Sequence, residues 1–165
     1  MPAPMSNAAV VSASAALKSA LARRDRAETN RIVAMLLDGG APLGEQWRSI
    51  SQLMQVSGEL TLAHRAIDAF IAGSGNKAAA YYSKVVLLTQ AGRSREAHDL
   101  LSSLPVDVPD RAGRAFVLGN TAMTLGRVEE ATAHLQTVLK HRPGWGPAWL
   151  SLATVINFAD NMLGE

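Results

Sequence analysis

The stretch AFVLGNTAMTLGRVEEATAHLQTVLKHRP, residues 115–143, decides the fold. Its apolar residues Val128, Leu135, Val138 and Leu139 recur at helical intervals and do not alternate as they would along a strand. Leu125-Gly126 reads as a helix end, because glycine adopts the left-handed conformation that reverses a chain beyond a helix. Ala131, five residues later, is expected on a second helix, where its small side chain lets two antiparallel helices approach closely. Pro143 then stops that second helix, since proline can neither donate nor continue the turn. The stretch therefore predicts a helical hairpin.

The same marks recur on both sides of it. Gly58, Gly92 and Gly126 lie 34 residues apart, Ala63, Ala97 and Ala131 keep the same period, and Pro109 and Pro143 close two units. With Pro143 as position 32, Trp47, Tyr81, Ala115 and Trp149 share position 4, while Ile50, Lys84, Leu118 and Leu152 share position 7. On these residues the chain resembles the tetratricopeptide repeat family, whose 34-residue pattern is W-x2-L-G-x2-Y, then A-x3-F, then P. The resemblance covers roughly residues 44–158 and is closest at Leu118-Gly119, with departures at Ala115, Lys84 and Gly75. It implies an all-α fold, a right-handed superhelix of helical hairpins.

In this register residues 44–77, 78–111 and 112–145 are three repeats within a single domain. Residues 10–43 read as a degenerate capping repeat, with Arg24 at the glycine position and Thr29 at the alanine position. Residues 146–165 are a partial repeat or a cap. The partial unit leaves the face of Trp149, Leu152 and Ile156 uncovered, unless residues 158–163 fold back over it or another subunit or further segment covers it.

Composition narrows the function classes. A chain of 165 residues suits one domain, and 48% apolar content argues against disorder. Cysteine is absent, which removes disulfides, thiolate nucleophiles and cysteine-based zinc sites. The net charge of +2 is weak support for nucleic-acid binding. No window approaches 18 uncharged apolar residues and no basic segment precedes the short apolar run at Val10 and Val11. A soluble, cytoplasmic protein that engages neither membrane nor nucleic acid is expected.

The candidate chemistry dissolves on inspection. Gly73-Ser74-Gly75-Asn76-Lys77-Ala78 matches a dinucleotide loop, yet that loop needs a preceding strand, and residues 62–72 read as a helix. His64 and His98 are 34 apart, so they are equivalent positions in successive units, and their charged neighbours predict a solvated face. His134 and His141 lack a third metal ligand nearby. Glu129-Glu130 suits the first turn of a helix, where negative charge complements the helix dipole. The arginines around Arg93 to Arg127 are interspersed with acids and have only Phe116 to stack on. No catalytic residue, cofactor or metal site is expected.

What the tetratricopeptide resemblance implies is a groove lined by positions 2, 5, 9 and 12 of each first helix. These are Glu45, Arg48, Gln52 and Gln55; Ala79, Tyr82, Val86 and Thr89; Gly113, Phe116, Asn120 and Met123; and Pro147, Leu150, Thr154 and Asn157. The carboxylate clamp of chaperone-binding members is missing, as Arg48, Gln52, Ser83, Gly113 and Val117 stand at its places. The groove runs from polar to apolar and suits an extended or helical peptide of a protein partner, with Tyr82 and Phe116 as its apolar centre. Two alternatives stand beside this interaction module. One is an accessory region of a larger enzyme, since residues 143–158 resemble the junction to a sulfotransferase domain in bacterial repeat proteins. The other is self-assembly into a homo-oligomer through the Trp149, Leu152 and Ile156 face.

Overall fold

In the computed structural model, which describes residues 3–163, every regular element is a helix. Chain order is α1 (Asn7–Ala22), α2 (Arg26–Asp38), α3 (Gln46–Val56), α4 (Leu60–Gly73), α5 (Lys77–Gln90), α6 (Ser94–Ser103), α7 (Arg111–Thr124), α8 (Val128–His141) and α9 (Gly146–Leu163). Among the described residues there is no strand, and no helix is long and apolar enough to cross a membrane. The residues gather into two compact units, one running to Lys77 and one from Ala78. That division falls where the sequence register changes from one 34-residue stretch to the next.

Four chain reversals repeat with the period of the sequence. Gly58, Gly92 and Gly126 have φ of 80°, 73° and 73°, and Arg24, 34 residues before Gly58, has φ of 55°. Each reversal carries the same pair of main-chain bonds beyond the helix end. The Arg24, Gly58, Gly92 and Gly126 amides donate to the carbonyls of Leu21, Gln55, Thr89 and Met123. The next amides, of Asp25, Glu59, Arg93 and Arg127, donate to Ala20, Met54, Leu88 and Ala122. This is the Schellman arrangement, and it satisfies carbonyls that the helix would otherwise leave unpaired. Arg24 bears the left-handed strain that glycine avoids, about 1–2 kcal/mol.

The small position after each reversal is buried as the register predicts: Ala63, Ala97 and Ala131 are fully covered, and Thr29 nearly so. In the first unit α3 packs on α4, with the Ser51 hydroxyl donating to the Ala63 carbonyl at 2.9 Å. Its core combines Ile32 and Leu36 of α2, Trp47 and Met54 of α3, and Ile67 and Phe70 of α4. In the second unit Gly119 stands where Ser51 does in the first, and a methyl there would lie 2.9 Å from Leu135 Cγ. The second core holds Val85, Leu88, Leu101 and Leu118 on one side and Ala122, Leu135, Leu152 and Val155 on the other.

One helix end differs from expectation, and another bears on the two alternatives for residues 158–163. α6 stops at Ser103, well before Pro109, because Leu104 precedes Pro105 and takes the extended conformation that a following proline imposes. Residues 158–163 do not fold back: α9 continues unbroken from Gly146 to Leu163. Gly73 ends α4 as read from sequence, and Lys77 Nζ donates to the Ile71 and Ala72 carbonyls at 2.7 and 2.8 Å, a cation at a helix C-terminus.

Candidate functional site

Residues i, i+4 and i+7 share one side of a helix, so the candidate groove positions form one stripe on each of α3, α5, α7 and α9. In the first unit, Arg48 pairs with Glu45 at 3.3 Å and lies 5.9 Å from the Phe70 ring centre. Gln52 is exposed and Gln55 half-buried. The single groove cation therefore has local partners.

In the second unit, Tyr82 and Val86 of α5 are half-buried and Thr89 is exposed. Tyr82 packs on the cluster of Val85, Leu88 and Leu101, and burial, reinforced by the Asp110 charge, raises its hydroxyl above the usual tyrosine range. On α7, Phe116, Asn120 and Met123 are half-buried. Phe116 already has an aromatic partner, the Trp145 ring, whose centre is 4.6 Å away at a tilt of 40°. Arg142 lies 5.3 Å from that indole. On α9, Leu150 and Thr154 are exposed, Leu150 by 71%. Tyr82 and Phe116 thus sit in the same unit, but the free apolar surface near Phe116 is reduced by Trp145.

The C-terminal face is smaller than the sequence implied. Leu152 belongs to the second core and is only 9% exposed, because position 7 turns inward here as it does at Ile50 and Leu118. Trp149 and Ile156 remain outside, accompanied by Phe158 and Met162.

The histidines require a correction. His98, read as solvated, is 4% exposed. Its Nδ1 lies 2.8 Å from the Thr121 hydroxyl and its Nε2 2.8 Å from Glu130 Oε1. A carboxylate only accepts, so Nε2 carries the proton on the Glu130 side. His134 Nε2 is 3.8 Å from the same oxygen, and the two imidazoles meet edge to face at 6.5 Å. Burial raises the Glu130 carboxyl, yet the charge and hydrogen bond of His98, with Arg127 and His134 nearby, outweigh it and hold the group below its ordinary value. Burial dominates at His134 and lowers it, against the upward pull of Glu130. This network ties α6 to α7 and α8. The sequence hid it because the partners of His98 lie 23 and 32 residues downstream. Its equivalent, His64, is half-buried.

Among the described residues no group of three His, Cys, Asp or Glu is placed to hold a metal ion. The pattern at residues 73–78 joins two helices, so the βαβ setting of a dinucleotide loop is absent from it. No protein-family model matches the chain, and neither a curated protein nor a solved structure matches it.

Proposed function

We propose that the chain is a tetratricopeptide-type repeat protein that acts as a non-catalytic interaction module, holding a peptide segment of a partner against the first-helix faces of its hairpins. The observation that supports this reading is the recurrence at 34-residue intervals, at Arg24, Gly58, Gly92 and Gly126, of a backbone reversal with its pair of main-chain bonds, an arrangement that Gly40 also adopts outside that spacing. Repeats of this kind present successive helix faces as a binding surface, and the stripe of Tyr82, Val86, Phe116, Met123 and Leu150 is apolar enough to anchor a peptide. The right-handed superhelical arrangement, the cytoplasmic setting and the absence of catalysis belong to the same proposal.

Selection of random peptides displayed on phage tests it. An enriched sequence family whose binding falls about tenfold in Thr89→Arg and in Leu150→Arg, but not in Lys140→Glu, is expected. Failure to enrich any family, or loss in Lys140→Glu alone, removes the reading. A second reading, self-association, is favoured by the exposed Trp149, Leu150, Ile156, Phe158 and Met162 on α9. Light scattering should then show a mass that grows with concentration and reverts in Ile156→Glu.

A further inference from the structure

Each unit has a cleft at the same place in its hairpin, where position 4 of the first helix meets the end of the second. In the first unit it measures about 530 Å³ and is floored by the Trp47 indole, with Pro42, Ala69, Ala72 and Gly73 around it. Its lining carries no charged side chain. The corresponding cleft of the second unit measures about 500 Å³, so its size is preserved while its chemistry is replaced. Ala115 stands in place of the tryptophan, Thr137 in place of Ala69 and His141 in place of Gly73. Arg111 and Arg114 supply the positive charge of the rim and His134 adds an imidazole, over a floor of Ala115 and Leu118.

No carboxylate lines the cleft, and Arg111 makes no ion pair among the described residues. Arg114 is anchored to neutral oxygens: its Nη1 donates to the Leu101 and Leu104 carbonyls, the latter at 3.0 Å, and its Nη2 to Ser102 at 3.3 Å. Those bonds fix the guanidinium at the end of α6 without a full countercharge. Glu130, the nearest acid to His134, is engaged by His98 at the shorter distance. A cavity of this volume, with an apolar floor and a few convergent polar groups, matches the general form of a small-molecule site.

We infer that the cleft between α7 and α8 binds a small organic anion, a carboxylate or phosphate carried on a compact apolar or aromatic body. The anionic head lies against Arg111 and the imidazole of His141, and the body rests on the apolar floor of Ala115 and Leu118. The site is independent of the peptide reading, because Arg114, Ala115 and Leu118 lie on the side of α7 opposite Phe116, Asn120 and Met123.

Titration calorimetry of the whole chain with 1-naphthoate, paired with NMR of the histidine Cε1–H signals, tests the assignment. Saturable binding at about millimolar affinity or tighter, with shifts at His134 and His141, is expected. Arg111→Gln and His141→Gln, both exposed, should each weaken it about fivefold to tenfold, with Arg95→Gln unchanged. The neutral 1-naphthalenemethanol should bind at least about tenfold more weakly. Equal binding of the alcohol, equal competition by inorganic phosphate, or indifference to both cleft variants overturns the proposal. A tetrapeptide ending in a free phenylalanine carboxylate is the last arm: tighter binding than naphthoate would assign the cleft to a protein chain end and overturn the small-molecule inference.

Discussion

Trp47 in the first unit and Trp149 in the second occupy the same repeat position and make the same local bond. Each indole Nε1–H donates to the carbonyl six residues back, Ala41 at 2.9 Å and Pro143 at 2.7 Å. Yet Trp47 is 2% exposed and Trp149 is 54% exposed. The difference lies in the neighbouring helix: α4 brings Ala69, Ala72 and Gly73 alongside Trp47, whereas among the described residues no helix comes after α9. Local sequence therefore sets the orientation of the ring, and the succeeding helix supplies its burial. Hydrogen bonding and burial, which usually change together, are separated by this pair.

The sharpest way to break the comparison is to truncate both rings. Trp47→Ala should cost about 3–5 kcal/mol through lost burial and the cavity left behind. Trp149→Ala should cost less than about 1 kcal/mol, because most of its area already faces water. Denaturant unfolding of the two variants measures this, and similar costs would show that the shared hydrogen bond dominates. The His98 contact asks the same question of a polar side chain covered by the following hairpin. His98→Ala should cost about 1–3 kcal/mol, as it strips a partner from buried Thr121 and from half-buried Glu130. Thr121→Val together with Glu130→Gln should then add little to His98→Ala in a double-mutant cycle.

Acid should act more mildly, and in a definite direction. Both Glu130 and His134 have folded values below their ordinary 4.5 and 6.5, so the unfolded chain binds the proton more readily in each window. The contribution of neutral His134 is complete above pH 6.5 and declines as pH falls below it; that of ionised Glu130 is complete above 4.5 and is lost as pH falls through its lowered value. The unfolding midpoint should thus fall in two steps on acidification. His134→Gln should abolish the upper step, and a midpoint that rises between about pH 7 and about 5.5 would reverse the assigned sign. The smallest effect belongs to the strained reversal. Arg24→Gly should stabilise by about 0.5–1 kcal/mol, less than the full strain because glycine gains freedom in the unfolded chain. Loss of stability there would mean that Arg24 contributes through its side chain.

The hairpins were legible because each is announced within a few residues: a glycine that can turn left-handed, a small residue on the second helix, and apolar residues at helical spacing. The helical pair of α1 and α2 was legible too, although Arg24 replaces the glycine, since the period survived. Other features escaped the sequence because they depended on partners brought together by packing. Charged neighbours made His98 look solvated, while Thr121 and Glu130 gave no local sign of meeting it. The end of α6 was present in the sequence as Leu104-Pro105, but the period drew attention to Pro109. Phe116 was identified as an apolar contact, and Trp145, 29 residues later, was not foreseen as the ring against it. Leu152 shows the reverse error, where position 7 was set on an outer face although the register placed it inside.

The reversal at Arg24 has a consequence for recognising such chains at all. A sequence profile scores the side chain at the joint, whereas the joint is held by two main-chain bonds that any residue supplies once the backbone angle is tolerated. Counted by glycine alone, the series at 34-residue spacing has three reversals where the backbone has four. Repeats at the margins of an array can therefore disappear from a sequence score well before they disappear from the molecule.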